Sequence, residues 1–287
     1  MQSFDAARKR FYISDLDGTL LDATGKLSEQ SLGILNELLR DGLIFTVASA
    51  RSVASMRPLL DGLSLSLPVI EFNGAFITDL ASGEHQVINA MASDVAESIF
   101  TRICRHGLEP FISSFDGTRD RVHYNQVRNA GVQNYLQQRF SQRDPRFAGP
   151  SRLENAFAEQ VVCLTVIAEE KPLEILQQEI VAVHGDSVET HLFEDIYFPG
   201  WPWLTVHDRR ATKDQAIRRL ARDYGLESHE RVVFGDQLND VGMFRAAHRG
   251  IAVANAVEQV RQHASQIIGH HSEHAVAHFI REDWPLR

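Results

Sequence analysis

The sequence predicts an α/β fold: a doubly wound, Rossmann-like parallel sheet interrupted by an inserted α+β domain. Three observations predict it. Short apolar runs alternate with helical patterns in the first third of the chain, the middle third mixes helices with hairpin signals, and the last third returns to the first pattern. Strands that alternate with helices are joined by right-handed crossovers, and such connections build parallel sheets.

Each element of the first third follows from a local signal. The apolar residues 11–13 predict a short strand, and Ser28 is the predicted N-cap of a helix whose leucines recur at helical spacing up to Gly42. The apolar run 43–48 is too short for a buried helix and predicts a buried parallel strand. The other predicted elements of this part are a helix at 52–60 and a buried strand at 68–72.

The later elements follow from the same periodicities and turn signals. The predicted helices are 93–106, 130–140, 172–184, 212–224 and a final helix that is capped by Ser272. The predicted strands are a hairpin over 111–124 and the segments 160–168, 187–193, 203–207, 231–234, 250–253 and 266–268.

Composition limits the class of protein. The chain has 287 residues, of which 44% are hydrophobic and 23% charged, and this is ordinary globular usage. Its net charge of −9 gives no overall electrostatic footprint for nucleic acid or an anionic membrane. No apolar stretch approaches the ~18 residues that a membrane helix needs, and no signal-peptide pattern is visible. The two cysteines lie far apart, which excludes a disulfide framework, so we expect a cytoplasmic protein. We expect its partner to be a small molecule, and neither nucleic acid nor a membrane.

Two acidic residues follow the first strand. Asp15 and Asp17 are two positions apart, so in an extended segment both side chains point to one side. Ligands of parallel sheets bind outside the carboxyl ends of the strands. Two close carboxylates need a cation or a proton, as in a Mg²⁺ site with an acid–base group. Gly18 lets the backbone turn and present N–H groups to an anion, although an ordinary Asp-Gly turn is the alternative.

A second acidic pair, Asp236 and Asp240, follows the predicted strand 231–234. Because both pairs stand at the carboxyl ends of strands in one predicted sheet, we expect them to line one crevice. Mg²⁺ takes oxygen ligands in octahedral geometry, usually a few carboxylates with water and phosphate. The sequence therefore predicts a Mg²⁺ site with ligands from Asp15, Asp236 and a main-chain carbonyl. Two unrelated acidic turns are the alternative.

Two further residues are candidates for phosphate binding. Ser49 follows the strand 43–48 and opens the next helix, where a hydroxyl and free N–H groups can hold an anion. Lys213 stands at the start of the helix 212–224, where a cation opposes the helix macrodipole and an adjacent anion would explain it. Taken singly, Ser49 is as readily an N-cap, and Lys213 is as readily a solvated lysine.

In this order, these elements resemble the haloacid-dehalogenase-like (HAD) phosphatase superfamily. Residues 15–20 (Asp-Leu-Asp-Gly-Thr-Leu) resemble its first motif, Ser49 the second, Lys213 the third, and residues 235–240 (Gly-Asp-x-x-Asn-Asp) the fourth. The resemblance narrows to the Cof-type, class IIB subgroup. Residues similar to its Ala-Thr-Gly-Arg, Asn-Gly-Ala and Ile-Ala-Met-Gly-Asn-Ala segments stand at 48–51, 73–75 and 251–256.

The chain departs from the subgroup pattern around the crevice. Ala50 and Ala254 replace the usual glycines, and Glu-His-Ala-Val at 273–276 replaces a common Asp-Gly-Val-Ala. The middle region matches only in size and place. The resemblance implies a HAD-like core at 1–82 and 206–287 and an inserted C2-type α/β cap, the substrate-specificity domain, at 83–205.

The resemblance also implies an activity. It is that of a Mg²⁺-dependent phosphatase, which hydrolyses a small phosphorylated metabolite such as a sugar phosphate through an aspartyl-phosphate intermediate. Asp15 is the implied nucleophile and Asp17 the acid–base group, while Ser49 and Lys213 hold phosphoryl oxygens. The implied metal ligands are Asp15, Asp17, Asp236 and Asp240. The implied substrate- or phosphate-binding residues are Gly18, Ala50, Arg51, Asn73, Asn239 and Asn255.

Other functions stay open at this point. A phosphomutase of the same architecture returns the phosphoryl group to a sugar, and a non-catalytic sensor binds a phosphorylated metabolite without turnover. A receiver-like signalling domain needs neither Asp17 as an acid nor an inserted cap. A haloacid dehalogenase is disfavoured by Asp17, and a P-type pump by the lack of membrane spans.

Three other patterns predict structure rather than chemistry. The string His-x-x-Glu-His at 270–274 matches an inverted zinc-protease pattern, but Gly269 and Ser272 predict a loop and a cap within it. Residues 115–118 echo the first motif, yet Ser114 stands at the nucleophile position, which predicts a turn. The Trp-Pro-Trp segment at 201–203 predicts packing at a domain junction.

Overall fold

The computed structural model describes residues 9–194 and 199–284. Its strands are β1 (Arg10–Ser14), β2 (Ile44–Val47), β3 (Val69–Glu71), β4 (Phe76–Thr78), β5 (His85–Ile88), β6 (Phe111–Phe115), β7 (Asp120–His123), β8 (Gln160–Ile167), β9 (Val188–Phe193), β10 (Trp203–Asp208), β11 (Glu230–Gly235), β12 (Arg249–Ala252) and β13 (Gln266–Ile267). Its α-helices are α1 (Glu29–Arg40), α2 (Val53–Met56), α3 (Ser93–Arg105), α4 (Ala130–Ser141), α5 (Glu170–His184), α6 (Lys213–Asp223), α7 (Val241–Ala246), α8 (Glu258–Arg261) and α9 (Ala275–Asp283).

The described chain forms two compact units. One holds the described residues up to Val87 together with those from Thr212 onward, and the other is Ile88–Ala211. The predicted insertion, 83–205, begins and ends a few residues earlier than the second unit. Its predicted end lies within β10, which stays whole in the second unit because it pairs with both β8 and β9.

The first unit is built on a parallel sheet with the strand order β13-β12-β11-β1-β2. The chain continues from β1 to β2 on one side, whereas β11 lies on the other side, so the strand order reverses between β1 and β11. Such a reversal opens a crevice outside the carboxyl ends of the two strands. Asp15 directly follows β1 and Asp236 directly follows β11, so the topology alone brings these two residues to one crevice.

The centre of this sheet is buried on both faces. Phe11, Tyr12 and Ile13 of β1 are fully buried, although successive side chains of a strand point to opposite faces. Around the sheet, α1 packs with α9, and α6 packs with α7. This is the doubly wound architecture that the alternating pattern predicts.

Two predicted helices differ from those observed. The helix predicted at 52–60 is limited to α2, with Ser52 as its N-cap, because Pro58 has no N–H with which to continue the helical hydrogen bonds. The final helix begins at Ala275 because His274 has a φ of +58°, and Ser272 therefore lies in a short 3-10 turn instead of capping the helix. The sequence pattern does not predict β4, β5, α7 or α8, which are too short to show a period.

The second unit contains an antiparallel sheet with the order β7-β6-β8-β10-β9. Helices α3 and α5 contribute Ile99, Ile103, Leu173 and Leu176 to one apolar cluster on this sheet. A separate cluster joins α4 to an aromatic group that includes Phe111, Tyr124 and Phe147. The α+β character predicted for the insertion is confirmed.

The remaining predicted features of the second unit are local. Asp116 accepts hydrogen bonds from the N–H groups of Thr118 and Arg119 (2.9 Å each), so the predicted turn lies at 116–119 between β6 and β7, and Phe115 is the last residue of β6. Trp203 packs its ring edge-on against Tyr135 of the same unit, with the ring centroids 4.9 Å apart.

Both cysteines are free, as predicted: Cys104 is exposed and Cys163 is buried. Within 9–194 and 199–284, no helix combines the length and the apolar character that crossing a membrane requires.

Candidate active site

The crevice between β1 and β11 begins at Asp15. This residue is 6% exposed, and its N–H donates a hydrogen bond to the Phe234 carbonyl of β11 (2.9 Å). The tight turn Leu16–Leu20 follows, and its backbone reverses at Gly18, where φ is +72°. The strand ladder therefore fixes the backbone of Asp15, while the turn brings Gly18 against Asp236.

Gly18 is required by space as well as by its backbone angle. A Cβ at this position would lie 2.5 Å from Oδ2 of Asp236, and the positive φ is one that residues with a side chain rarely adopt. Asn255 holds the same residue through its side chain, because its Nδ2 donates a hydrogen bond to the Gly18 carbonyl (2.7 Å). Oδ1 of Asn255 accepts a hydrogen bond from the His271 N–H (3.2 Å), so this amide connects two backbone segments.

Three carboxylates converge in the crevice. Asp15, Asp236 and Asp240 offer oxygen atoms that lie within 4.8 Å of one another, and among the described residues no other group of His, Cys, Asp or Glu is gathered in this way. Asp17 lies outside this group. Its two oxygens accept hydrogen bonds from Nε (2.6 Å) and Nη2 (2.7 Å) of Arg51. The structure thus brings three of the four predicted metal ligands together and pairs the fourth with an arginine.

Lys213 completes the cluster. It is the first residue of α6, it is 1% exposed, and its Nζ donates hydrogen bonds to Oδ1 of Asp15 (2.6 Å) and Oδ1 of Asp240 (2.7 Å). A cation at a helix N-terminus is unfavourable for the helix alone. Two buried carboxylates explain its position, so the alternative of a solvated lysine is wrong.

The protonation equilibria show an excess of negative charge. Burial raises the pKa of Asp15 to about 7, and the Asp240 and Asp17 carboxylates also raise it, while Lys213 opposes the rise. Burial, with the charges of Asp15 and Asp240, raises the pKa of Asp236 to about 8. Burial lowers the pKa of Lys213, but the two adjacent carboxylates outweigh burial and raise it above the usual lysine value. One ammonium group therefore does not neutralise the cluster.

The charge balance fits a divalent cation. Three carboxylates and one ammonium leave two negative charges in a buried site, while Asp17 and Arg51 form a neutral pair beside it. Oxygen ligands of this kind are the set that Mg²⁺ prefers. The raised pKa values of Asp15 and Asp236 show that their charged forms are disfavoured, and a nearby cation would stabilise those forms.

Asp240 shapes the turn that carries Asp236. Its Oδ2 accepts hydrogen bonds from the N–H groups of Asp236 (2.9 Å) and Gln237 (3.0 Å), and its Oδ1 binds Lys213. Gly235 makes room for this arrangement, because a Cβ there would lie 2.5 Å from Oδ2 of Asp240. Asp240 thus fixes the backbone around Asp236 as well as adding to the cluster.

Thr19 is a site residue that the sequence analysis does not assign. Its hydroxyl donates a hydrogen bond to Oδ1 of Asp236 (2.9 Å), and the residue is 1% exposed. The available signal was its position directly after Gly18 in the first motif. The residue that it contacts could not be deduced from that position.

Ser49 lies in the crevice loop but does not open a helix. It is 1% exposed, its Oγ accepts a hydrogen bond from the Arg51 N–H (3.1 Å), and α2 begins only at Val53. The prediction that Ser49 stands at a helix N-terminus is therefore wrong, because Ser52 is the N-cap. Ala50, a predicted substrate-side residue, is exposed in this loop.

Asn73 and Asn239 meet each other. Nδ2 of Asn239 donates a hydrogen bond to Oδ1 of Asn73 (3.0 Å), and Asn73 is 2% exposed. Both are predicted substrate- or phosphate-binding residues, and the structure brings their side chains together.

The histidine string at 270–274 forms no metal site. Within the described part of the chain, the acidic cluster is the single group with metal-ligand spacing, so these histidines do not converge. Residues His271–Glu273 form a 3-10 turn and α9 begins at Ala275, so the string does not lie on one helix. His271 instead contacts the first-motif turn, with its Nδ1 2.7 Å from the Leu21 carbonyl.

The chain belongs to the haloacid dehalogenase-like hydrolase family, whose profile matches residues 12–280. It is similar to the 5-amino-6-(5-phospho-D-ribitylamino)uracil phosphatase YitU of Bacillus subtilis, with 22% identity over 95% of this chain and 96% of that protein. It is also similar to the HMP-PP phosphatase of Serratia proteamaculans, with 26% identity over 93% of this chain and 92% of that protein.

Solved structures show the same fold. A haloacid dehalogenase-like hydrolase from Bacteroides thetaiotaomicron superposes with a TM-score of 0.78 and 20% identity, over 96% of this chain and 100% of that one. The predicted fold class and the resemblance to class IIB HAD phosphatases are confirmed. The protein is accordingly a phosphoric monoester hydrolase of the HAD-like type.

Proposed function

We propose that the protein is a Mg²⁺-dependent phosphatase that hydrolyses a small phosphorylated metabolite through an aspartyl-phosphate intermediate. The observation that carries the proposal is the buried Asp15 carboxylate at the sheet's reversal point, held by Lys213 and set against Asp236. A nucleophile in a crevice with an excess of negative charge needs a cation for an anionic substrate to approach.

Asp15, Asp236 and a backbone carbonyl would hold the cation, with Asp240 fixing the turn behind Asp236. Bound Mg²⁺ supplies positive charge that neutralises the charge developing on the phosphoryl oxygens. Thr19 keeps the Asp236 carboxylate in place through its hydroxyl.

Asp15 is the proposed nucleophile. Its Oδ1 accepts a hydrogen bond from Lys213 (2.6 Å), and one oxygen of this carboxylate attacks phosphorus. The new bond joins this oxygen to phosphorus while the bond to the leaving oxygen breaks, and one hard step is split into two easier ones. Ser49, Lys213 and the backbone at Gly18 hold the phosphoryl oxygens in this proposal.

Asp17 is the proposed acid–base group. In the first step it gives a proton to the leaving oxygen, and in the second it takes a proton from the water that attacks phosphorus and frees Asp15. Both oxygens of Asp17 accept hydrogen bonds from Arg51, from Nε (2.6 Å) and Nη2 (2.7 Å).

The substrate class follows from the relatives. One is named for a phospho-D-ribityl compound and the other for HMP-PP, at similar identity to this chain. Both are small phosphorylated metabolites, so we propose a substrate of that class, such as a sugar phosphate.

The test is turnover by Asp15→Asn on a panel of sugar phosphates, nucleotides and pyridoxal phosphate. We expect release of free phosphate to fall by at least about 10³-fold, because an amide oxygen does not act as the nucleophile. Asp61→Asn, at an exposed aspartate of the same unit, should turn over like the unaltered protein. Undiminished phosphate release by Asp15→Asn would refute the nucleophile. Phosphoryl return to a sugar without free phosphate would identify a phosphomutase instead.

A further inference from the structure

The turn that joins β3 to β4 has an unusual backbone. Phe72, Asn73 and Gly74 have consecutive φ values of +48°, +56° and +113°. Two of the three carry side chains, which rarely adopt this conformation. Such strain persists only where the surroundings determine the backbone strongly, and it is concentrated at functional sites.

The surroundings of this turn are the segments that carry the proposed chemistry. The N–H of Phe72 donates to the Arg51 carbonyl (3.0 Å), and the N–H of Asn73 donates to the Ser49 carbonyl (2.9 Å). The side chain of Asn73 accepts a hydrogen bond from Asn239, which directly precedes Asp240 (3.0 Å).

Gly74 packs against the start of α6. A Cβ on Gly74 would lie 2.7 Å from the Thr212 carbonyl oxygen, one residue before Lys213. One turn of three residues therefore contacts the Ser49 loop, the Asn239–Asp240 turn and the N-terminus of the helix that presents Lys213.

We propose that Asn73 is a positioning residue, which through its bridge to Asn239 sets the spacing between the Ser49 loop and the Asp236–Asp240 turn. It is 2% exposed and its oxygen is used within the protein, so it acts on the reaction through Ser49 and Asp240 and not through contact with substrate. This inference rests on the proposed function, since the segments it connects are those assigned to phosphoryl transfer.

The two roles differ in their kinetics. A residue that binds the substrate's variable part changes KM, and the change depends on the substrate. A residue that positions the phosphoryl-transfer groups changes kcat by a similar factor for every substrate, because small displacements of reacting groups are costly. Substitution of either member of a hydrogen-bonded pair already breaks the contact. The losses in kcat of the two single variants are therefore not additive in the double variant.

The experiment is a double-mutant cycle with Asn73→Gly, Asn239→Ala and the double variant. Glycine accepts the positive φ without strain, so Asn73→Gly removes the bridge and keeps the turn. We expect each single variant to lose about tenfold to a hundredfold in kcat on every substrate that the protein turns over, with little change in KM, and the double variant to lose no more. The matched control is Asn36→Ala on α1. It removes another side-chain amide contact, from Nδ2 of Asn36 to the Gly62 carbonyl (2.8 Å), and should leave kcat unchanged.

A second readout separates this inference from the proposed function. Calorimetric titration with Mg²⁺ should show the same non-additive weakening in the two single variants and the double variant, whether or not any phosphate ester is hydrolysed. An increase in KM alone, multiplicative losses in the double variant, or unchanged kcat and Mg²⁺ affinity in Asn73→Gly would each overturn the positioning role. If Asn73→Gly fails to fold by circular dichroism, Asn239→Ala decides by the same kcat-against-KM comparison. Absence of turnover in the unaltered protein would overturn the proposed function alone.

Discussion

At the scale of single residues, Asp236 shows the effect of the excess negative charge in the crevice. It faces Asp15 and Asp240 in a buried cluster, and its pKa is raised to about 8 by burial and by these two carboxylates. Asn at this position has nearly the same volume, is uncharged at every pH and keeps an oxygen that can accept the Thr19 hydrogen bond.

We therefore expect Asp236→Asn to raise the Tm of the metal-free protein by a few degrees, since about 1 kcal/mol shifts the Tm of such a domain by roughly 2–4 °C. The further rise in Tm that Mg²⁺ gives should disappear. Thermal melts with and without Mg²⁺ measure both effects, and Asp61→Asn makes the same change of charge at an exposed position. A Mg²⁺-induced shift as large as in the unaltered protein would remove Asp236 from the metal site.

The identity of most crevice residues could be predicted from their own positions. Asp15, Asp236 and Lys213 each combine a charged side chain with a strand end or a helix start, and these signals need no knowledge of distant contacts. The partner of Thr19 could not be predicted, because it lies 217 positions away and depends on the pairing of β1 with β11. The same holds for Asn255, whose amide holds the Gly18 carbonyl.

At the scale of elements, the start of α6 depends on close packing by a glycine. Gly74 combines a φ of +113° with a backbone oxygen that a Cβ would approach to 2.7 Å. Backbone atoms do not yield as the end of a flexible side chain does, so an added methyl group must displace Thr212 and, with it, Lys213.

We expect Gly74→Ala to lower phosphatase activity by at least about tenfold, because it moves a group that contacts Asp15. Gly107→Ala is the matched control, since Gly107 also has a positive φ (+70°) but no atom within 4 Å of the added Cβ. Phosphate release and thermal melts of both variants make the comparison. Equal activity of the two alanine variants would show that the contact with Thr212 does not matter to the site.

Element boundaries depended on short-range signals of unequal strength. Ser28 was a reliable N-cap of α1, with its Oγ accepting from the Ser31 N–H (3.1 Å). The early end of α2 was signalled by Pro58, which the apolar pattern of the following residues obscured. The late start of α9 has no local signal, because it is set by the left-handed backbone of His274, a conformation that a histidine does not announce. The His274 side chain contacts the N-cap of α1, with Nδ1 2.8 Å from Oγ of Ser28.

At the scale of the whole molecule, the two units have separate apolar clusters. His207 of β10 in the second unit is 1% exposed, and burial, together with nearby His191, lowers its pKa to about 3. An unfolded chain binds a proton at this position below about pH 6.5, whereas the folded unit does not.

Above about pH 6.5, the neutral buried His207 therefore does not reduce the free energy of unfolding. As the pH falls from there toward 3, this free energy decreases by up to about 1.4 kcal/mol per pH unit. We expect His207→Gln to flatten the acid limb of the unfolding free energy, measured by urea titration from pH 7 to pH 4. Since a buried substitution also changes stability at neutral pH, the slope and not the absolute value is compared. His263→Gln, at an exposed histidine of the first unit, should retain the original slope, and an unchanged slope in His207→Gln would contradict the assignment.

The architecture of the first unit could be predicted further than that of the second. A parallel sheet requires continuous apolar strands and intervening helices, and these leave a clear trace in the sequence. In the second unit the strands are paired antiparallel and one register shift occurs between Ser113 and Ser114, which no local pattern records. The family resemblance predicts an insertion at 83–205 but says nothing of how its strands pair.

The pairing of β1 with β11 has a consequence for the life of the chain on the ribosome. Arg10 lies beside Glu230, 220 positions later, and Ile88–Ala211 is synthesised between them. Until β11 emerges, one edge of β1 lacks its neighbour, and pairing over such a sequence distance is slow. Asp15 meets Asp236 only once β11 has paired with β1, so a nascent chain that lacks its last third has the nucleophile but no site around it.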